Sequence, residues 1–281
     1  MGLFKKREKR EKELEKNTKT PTGEKSGFLP ETETTAIILL GKDVGWSAVS
    51  RVVEDRFGSQ ALAFADNSNP QAPVMHFQSE GVEFFCSYIP MPYPAPGQDL
   101  AAIEEGLFSP EEKAEMLENQ AFLVLSQKDG GTALEAKRHI CCLFTRLTAA
   151  LLSVEGACGV YVNSAELLIS RRVYLYHADI LEQNLQDPEY FPAPLWVSIR
   201  QGQKGDIFLI GTWGLRQFGL LELWFMDPDA EWAEIHQRLY LLSAFEITGK
   251  DFYKDMDTIQ FTPGRTSMFR ELKGALFIKE V

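Results

Sequence analysis

From Thr34 onward, apolar positions fall into short runs of alternating strand-like and helical period. TTAIILL (34–40) is a β-branched run that reads as a strand. In GWSAVSRVVEDRFG, Val49, Val52, Val53 and Phe57 recur at helical spacing, and Gly58 supplies the stop. ALAFAD (61–66) reads as a second strand, and VMHFQSEGVEFFCSYIP holds two strand-like runs around Ser79-Glu80-Gly81, a hairpin signal. Pro90, Pro92, Pro94 and Pro96 then impose an extended connection. SPEEKAEMLENQ predicts a helix start, with Ser109 as cap, Pro110 behind it and Glu112 three residues beyond the cap. AFLVLSQ (121–127) is a further strand.

The second half opens on TALEAKRHICCLFTRLTAALLSVEG, the longest helical pattern. Its middle is apolar almost all round, so it is expected to be the central buried helix. GACGVYVN reads as a short strand, followed by AELLIS and RRVYLYHADILEQNL. PLWVSIR and DIFLIGT flank Gln201–Gly205 as two strands, and LELWFMD is another. DPDAEWAEIHQRLYLLSAFEI predicts a helix capped by Asp227 or Asp229, and DTIQF and GALFIKEV close the sheet. The pattern implies an α+β fold of mixed or antiparallel sheets with packed helices. It divides into two pseudo-halves, 34–128 and 129–281, that share or abut sheets. Residues 1–33 read as a charged flexible tail, because alternating charges with few apolar side chains do not offset the entropy of ordering.

Composition narrows the classes. The chain has 281 residues, 44% of them hydrophobic and 11% aromatic, enough for a full core. No stretch reaches the apolar length of a membrane-spanning helix, and MGLFKKREKR lacks the apolar core of a secretory signal, so a cytoplasmic location is expected. The net charge is −11. The tail holds nine Lys/Arg against seven Asp/Glu, leaving 20 basic and 33 acidic side chains, a balance of −13, for residues 34–281. An acidic body disfavours nucleic acid as a partner and favours a basic protein. Cys86, Cys141, Cys142 and Cys158 form no metal or disulfide spacing and are expected as reduced, packed thiols.

Candidate chemistry centres on GTWGLRQFGLLELWFMD (211–227). Gly214–Gly219 has the glycine spacing of a phosphate loop, but Leu220 and Leu221 stand where Lys and Ser/Thr are required. The glycines are therefore expected to shape a compact turn between neighbouring strands. Strand alternation puts Leu221, Leu223 and Phe225 on one face and Glu222, Trp224 and Met226 on the other. Glu222 beside Trp224 is either a recognition acid or a carboxylate on a half-solvated face, paired with Arg216. A binding site at Trp213, Arg216, Glu222 and Trp224 follows as a candidate. His139 and Cys142 lie three apart on the long helix and are expected as a buried structural pair. No zinc, calcium or serine-hydrolase signature is present, so no catalytic residue, metal or cofactor is expected.

TRLTAALLSVEGACGVYVNSAELL, PLWVSIR, GTWGLRQFGLLELWF and DTIQF, in that order, resemble the bacterial domain-of-unknown-function family 4261 over about 120–262. The resemblance rests on a leucine-rich helix followed by GA-x-GVY, and on a T-x-G-L…FG-x-x-E turn whose acid is Glu222. Leu220-Leu221 departs from the proline the family pattern carries before that acid. The resemblance implies a fold and a bacterial setting, with no catalytic residues to carry over. Composition, aromatic density and the missing catalytic constellation lead to a non-catalytic protein-binding role, of immunity or adaptor type. The alternative is a small-ligand protein or enzyme with a pocket at the four residues above.

Overall fold

The computed structural model describes residues 34–57, 64–66, 74–93, 100, 106–128, 131, 133–228, 230–263 and 265–280. The tail 1–33 and Asp229 lie outside them. Their elements confirm an α+β fold of two mixed sheets with packed helices.

The first sheet comprises β1 (Thr35–Leu40), β2 (Phe64–Asp66), β3 (Val74–Ser79), β4 (Val82–Ile89), β5 (Gly106–Leu107), β6 (Ala121–Lys128), β7 (Ala157–Val162) and β8 (Leu167–Ser170). Their spatial order is β2-β3-β4-β6-β1-β7-β8-β5, antiparallel except where β5 runs parallel to β8. The second sheet comprises β9 (Ser198–Lys204), β10 (Ile207–Trp213), β11 (Glu222–Met226), β12 (Thr258–Thr262), β13 (Arg265–Leu272) and β14 (Ala275–Glu280). Its order is β12-β13-β14-β11-β10-β9, with β11 parallel to β14. The larger sheet thus takes strands from both sides of residue 128, while the smaller comes entirely from residues 198–280.

Helices follow local signals. α1 (Trp46–Phe57) bears the expected apolar spacing. α2 (Pro110–Leu117) begins with a complete capping box: Glu112 N–H donates to Ser109 Oγ at 3.2 Å, and Ser109 N–H donates to the Glu112 carboxylate at 2.8 Å. α3 (Leu134–Leu151) is the long helix and α4 (Arg171–Gln183) follows β8, its first turn capped by Ser170. α5 (Trp232–Thr248) starts later than the sequence suggests. Its N-cap is Glu231, without a side-chain bond. Asp227 instead ends β11, with φ 43° and its carboxylate accepting from Phe208 N–H at 2.7 Å. β13 has no counterpart in the sequence pattern, because RTSMFREL mixes charged and apolar residues without a clean alternation.

All six residues of β1 are buried. Ala36, Ile38 and Leu40 meet Val49 and Val53 of α1 and Leu143, Phe144 and Leu147 of α3. Ile37 and Leu39 face the other side, with Tyr93, Met116 of α2 and Phe122. Each such side chain stabilises the fold by about 1.5–3 kcal/mol. The core continues into the second sheet, where Leu223, Phe225, Phe269 and Ile278 meet Ile235, Leu239 and Leu242 of α5. Trp196 ties the layers together: its indole N–H donates to Thr145 Oγ1 at 3.0 Å, and its ring lies 5.7 Å edge-on from Phe144. Among the described residues, no helix is long and apolar enough to cross a membrane.

Candidate functional site

The turn between β10 and β11 organises itself around Glu222. That residue is only 3% exposed. One carboxylate oxygen accepts from Thr212 Oγ1 at 2.8 Å, and the other from Gly214 N–H at 3.0 Å and Arg216 N–H at 3.2 Å. Thr212 Oγ1 in turn accepts from Leu223 N–H at 2.8 Å. The carboxylate therefore holds the N-terminal end of the 3-10 turn Leu215–Phe218 against the end of β10. Gly214 is obligatory there, at φ 128°, where a Cβ would stand 2.5 Å from the Trp196 carbonyl. The second requirement is closeness: Gly211 pairs across the ladder with Trp224, and a Cβ on it would come 2.3 Å from the indole ring.

The structure thus buries Glu222, which overturns the reading of it as a carboxylate on a half-solvated face. Its link to Arg216 is through the backbone N–H, while the Arg216 side chain is exposed. Trp213 is half-buried beneath the Arg200 guanidinium, 4.5 Å from its ring centre, and Arg200 pairs with Glu166 at 2.7 Å. Trp224 covers Gly211. The four side chains have four separate occupations, and none of them lines the concavities described below.

The larger concavities lie along the helices instead. A cleft of about 660 Å³ opens between the β3–β4 turn, α3 and the chain after α4. His139 and Cys142 both line it, so they are not the buried pair expected; His139 Nε2 stands 3.6 Å from Glu80. Burial pushes the Cys142 thiol up to about 11 against the pull of Arg138 and Arg146, which leaves it protonated and poorly nucleophilic at neutral pH. Arg138 donates to the carbonyls of Pro188 and Thr248 at 2.9 and 3.2 Å. Arg146 reaches Glu182 at 2.9 Å and Glu80 at 3.2 Å. It also lines a second cleft of about 380 Å³, floored by Val52, Ala149, Leu175 and Ala178 of α1, α3 and α4. The two form one interrupted groove along α3 and α4, with the Arg146–Glu182 pair as the divide. Six acids line it (Asp55, Glu80, Glu135, Asp179, Glu182 and Asp187) against two arginines.

Among the described residues, no group of three or more His, Cys, Asp or Glu is placed to hold a metal. All four cysteines are free. The groove escapes sequence reading because its walls come from three helices far apart in the chain. Its one local trace is the polar stripe Arg138, His139, Cys142 and Arg146 on an otherwise apolar helix. The chain matches no protein-family model, no curated protein and no solved structure.

Proposed function

We propose that this is a non-catalytic binding protein, related to family 4261 and of immunity or adaptor type, that takes a basic protein segment along the α3–α4 groove. The observation that carries the proposal is the groove's charge. Its six acids face two arginines, one already paired with two of those acids and the other donating to backbone carbonyls. A Lys/Arg-rich segment would find complementary charge above an apolar floor, which speeds encounter and favours one orientation. The acidic balance of residues 34–281 extends that field over the whole body.

The test is a pull-down from the native host at low salt, comparing wild type with Asp55→Lys/Asp179→Lys. The expected partner crosslinks to the groove through a basic segment, is released as salt rises, and is lost in the variant. Equal capture by both proteins, or crosslinks confined to another face, overturns the proposal.

A further inference from the structure

Thr34 enters the first sheet beside the mouth of the α3–α4 groove. Its carbonyl accepts from Gln127 N–H of β6 at 3.2 Å, and Gln127 stands opposite Phe84 of β4 on its other side. Four residues before Phe84 is Glu80, which lines the groove. About two strand spacings sideways and four residues of rise put Glu80 roughly 15–20 Å from Thr34. The end of β6 leads from Lys128 to the start of α3 at Leu134, and Ala133 and Glu135 line the same mouth. Whatever precedes Thr34 is therefore anchored next to the groove.

The groove and the first 33 residues carry complementary charge. Asp55, Glu135 and Asp179 on the groove have no ion-pair partner among the described residues. The stretches after residue 33 that lie outside the described residues contain no Lys or Arg, so none of them offsets these acids. KKREKREK (5–12) holds six basic side chains against two acidic ones, a balance of +4. Residues 13–33 hold three against five, a balance of −2, so the positive charge gathers at the end away from the body. Eight extended residues span about 26 Å, and the 18 residues of α3 rise about 27 Å, so the basic run matches the length of the groove. A polar chain as long as 13–33 extends to about 70 Å at most and averages roughly 25 Å end to end, enough to set the run against either cleft.

We infer that residues 5–12 dock in the α3–α4 groove of their own chain and keep it closed until a partner's basic segment displaces them. This closure presupposes that the groove takes basic segments, as proposed above. The Lys and Arg side chains meet Glu135 at the mouth and Asp55 and Asp179 beyond the Arg146–Glu182 divide, while their methylene stems lie over Val52, Ala149 and Leu175. Tethering supplies an effective concentration of about 1 mM, so a run with a free affinity of about 0.1 mM fills the groove in about nine molecules of ten. The apparent affinity for any partner falls by the same factor, about tenfold. Weak basic sequences are thereby turned away, and the groove is reserved for a strong one.

Two measurements on the full-length protein test this closure. The first couples Lys to Asp and Glu with a carbodiimide at low salt and reads the monomer by mass spectrometry. The expected links join Lys5, Lys6, Lys9 or Lys12 to Asp55, Glu135 or Asp179, and fade at about 0.5 M salt. The second is fluorescence anisotropy with a labelled peptide of sequence KKREKREK as the probe. Neutralising the run in the chain (Lys5→Gln, Lys6→Gln, Arg7→Gln, Lys9→Gln, Arg10→Gln and Lys12→Gln) should raise probe affinity about tenfold over wild type. Adding Asp55→Lys/Asp179→Lys to that chain should abolish the gain. Links only between two copies, links to another face, or equal probe affinity in wild type and the neutralised chain overturn the inference. Equal affinity that Asp55→Lys/Asp179→Lys still removes leaves the groove as a site for a basic partner. A probe that binds neither chain, or that ignores Asp55→Lys/Asp179→Lys, overturns that reading as well.

Discussion

Glu222 and Glu246 are equally deep, each 3% exposed, and the fold treats them in opposite ways. Glu222 sits at the start of β11 with three donors on its two oxygens. Glu246, near the end of α5, accepts one long bond of 3.4 Å from Tyr253 N–H, and its other oxygen has no partner among the described residues. Burial first, and the Glu222 charge after it, push the Glu246 carboxyl up to about 7, against the pull of the Tyr253 amide. Depth alone therefore does not decide what an interior carboxylate does. Donors aimed at it make one acid a fixed part of the backbone, and their scarcity makes the other a proton carrier near neutral pH.

The largest effect expected from breaking that contrast is at the satisfied acid. Glu222→Ala strands Thr212 Oγ1 and the amides of Gly214 and Arg216, at a cost of about 3–5 kcal/mol in urea unfolding. A loss under 1 kcal/mol would mean that the turn does not depend on the carboxylate. Next comes Glu246→Gln. A carboxyl raised from 4.5 to about 7 by folding contributes stability that is complete below pH 4.5 and lost as pH rises through 7. The amide cannot ionise, so the variant should match wild type near pH 4.5 and exceed it by about 3 kcal/mol at pH 8. A constant offset across that range would show that the carboxyl does not titrate within it. The smallest effect sharpens the comparison by moving Glu222 one step toward Glu246. Thr212→Val keeps the shape but removes the hydroxyl between the carboxylate and Leu223 N–H, and should cost about 1–3 kcal/mol at pH 7.

Much of the fold is legible in the sequence where a signal is local. The Ser109/Glu112 capping box, the hairpin at Glu80-Gly81, and the β-branched run of β1 each announce themselves within a few residues. The glycine turn at 211–219 is also read correctly as a strand connection. What the sequence hides is long-range. Period-two alternation only puts Glu222 on the face of Trp224 and Met226, since nothing in LELWF reveals that the preceding turn folds its amides back over that side chain. The polar stripe on α3 is masked by the apolar positions around it, and β13 by its mixture of charged and apolar residues. Glu246 falls within an apolar helical pattern, where no neighbour in sequence indicates its missing partner.

The position of β1 has a consequence for how the protein is made. It is the earliest strand among the described residues, yet it lies between β6 and β7, with every residue buried. Its neighbour β6 begins at Ala121, so at ribosomal speeds of roughly 5–20 residues per second β1 waits about 4–16 s for its first lateral partner. Through that interval AIILL is an unpaired apolar ribbon in the nascent chain. Holdase chaperones that grip such ribbons during translation are therefore expected to govern the yield of folded protein, and a pause in synthesis before Ala121 should lower it.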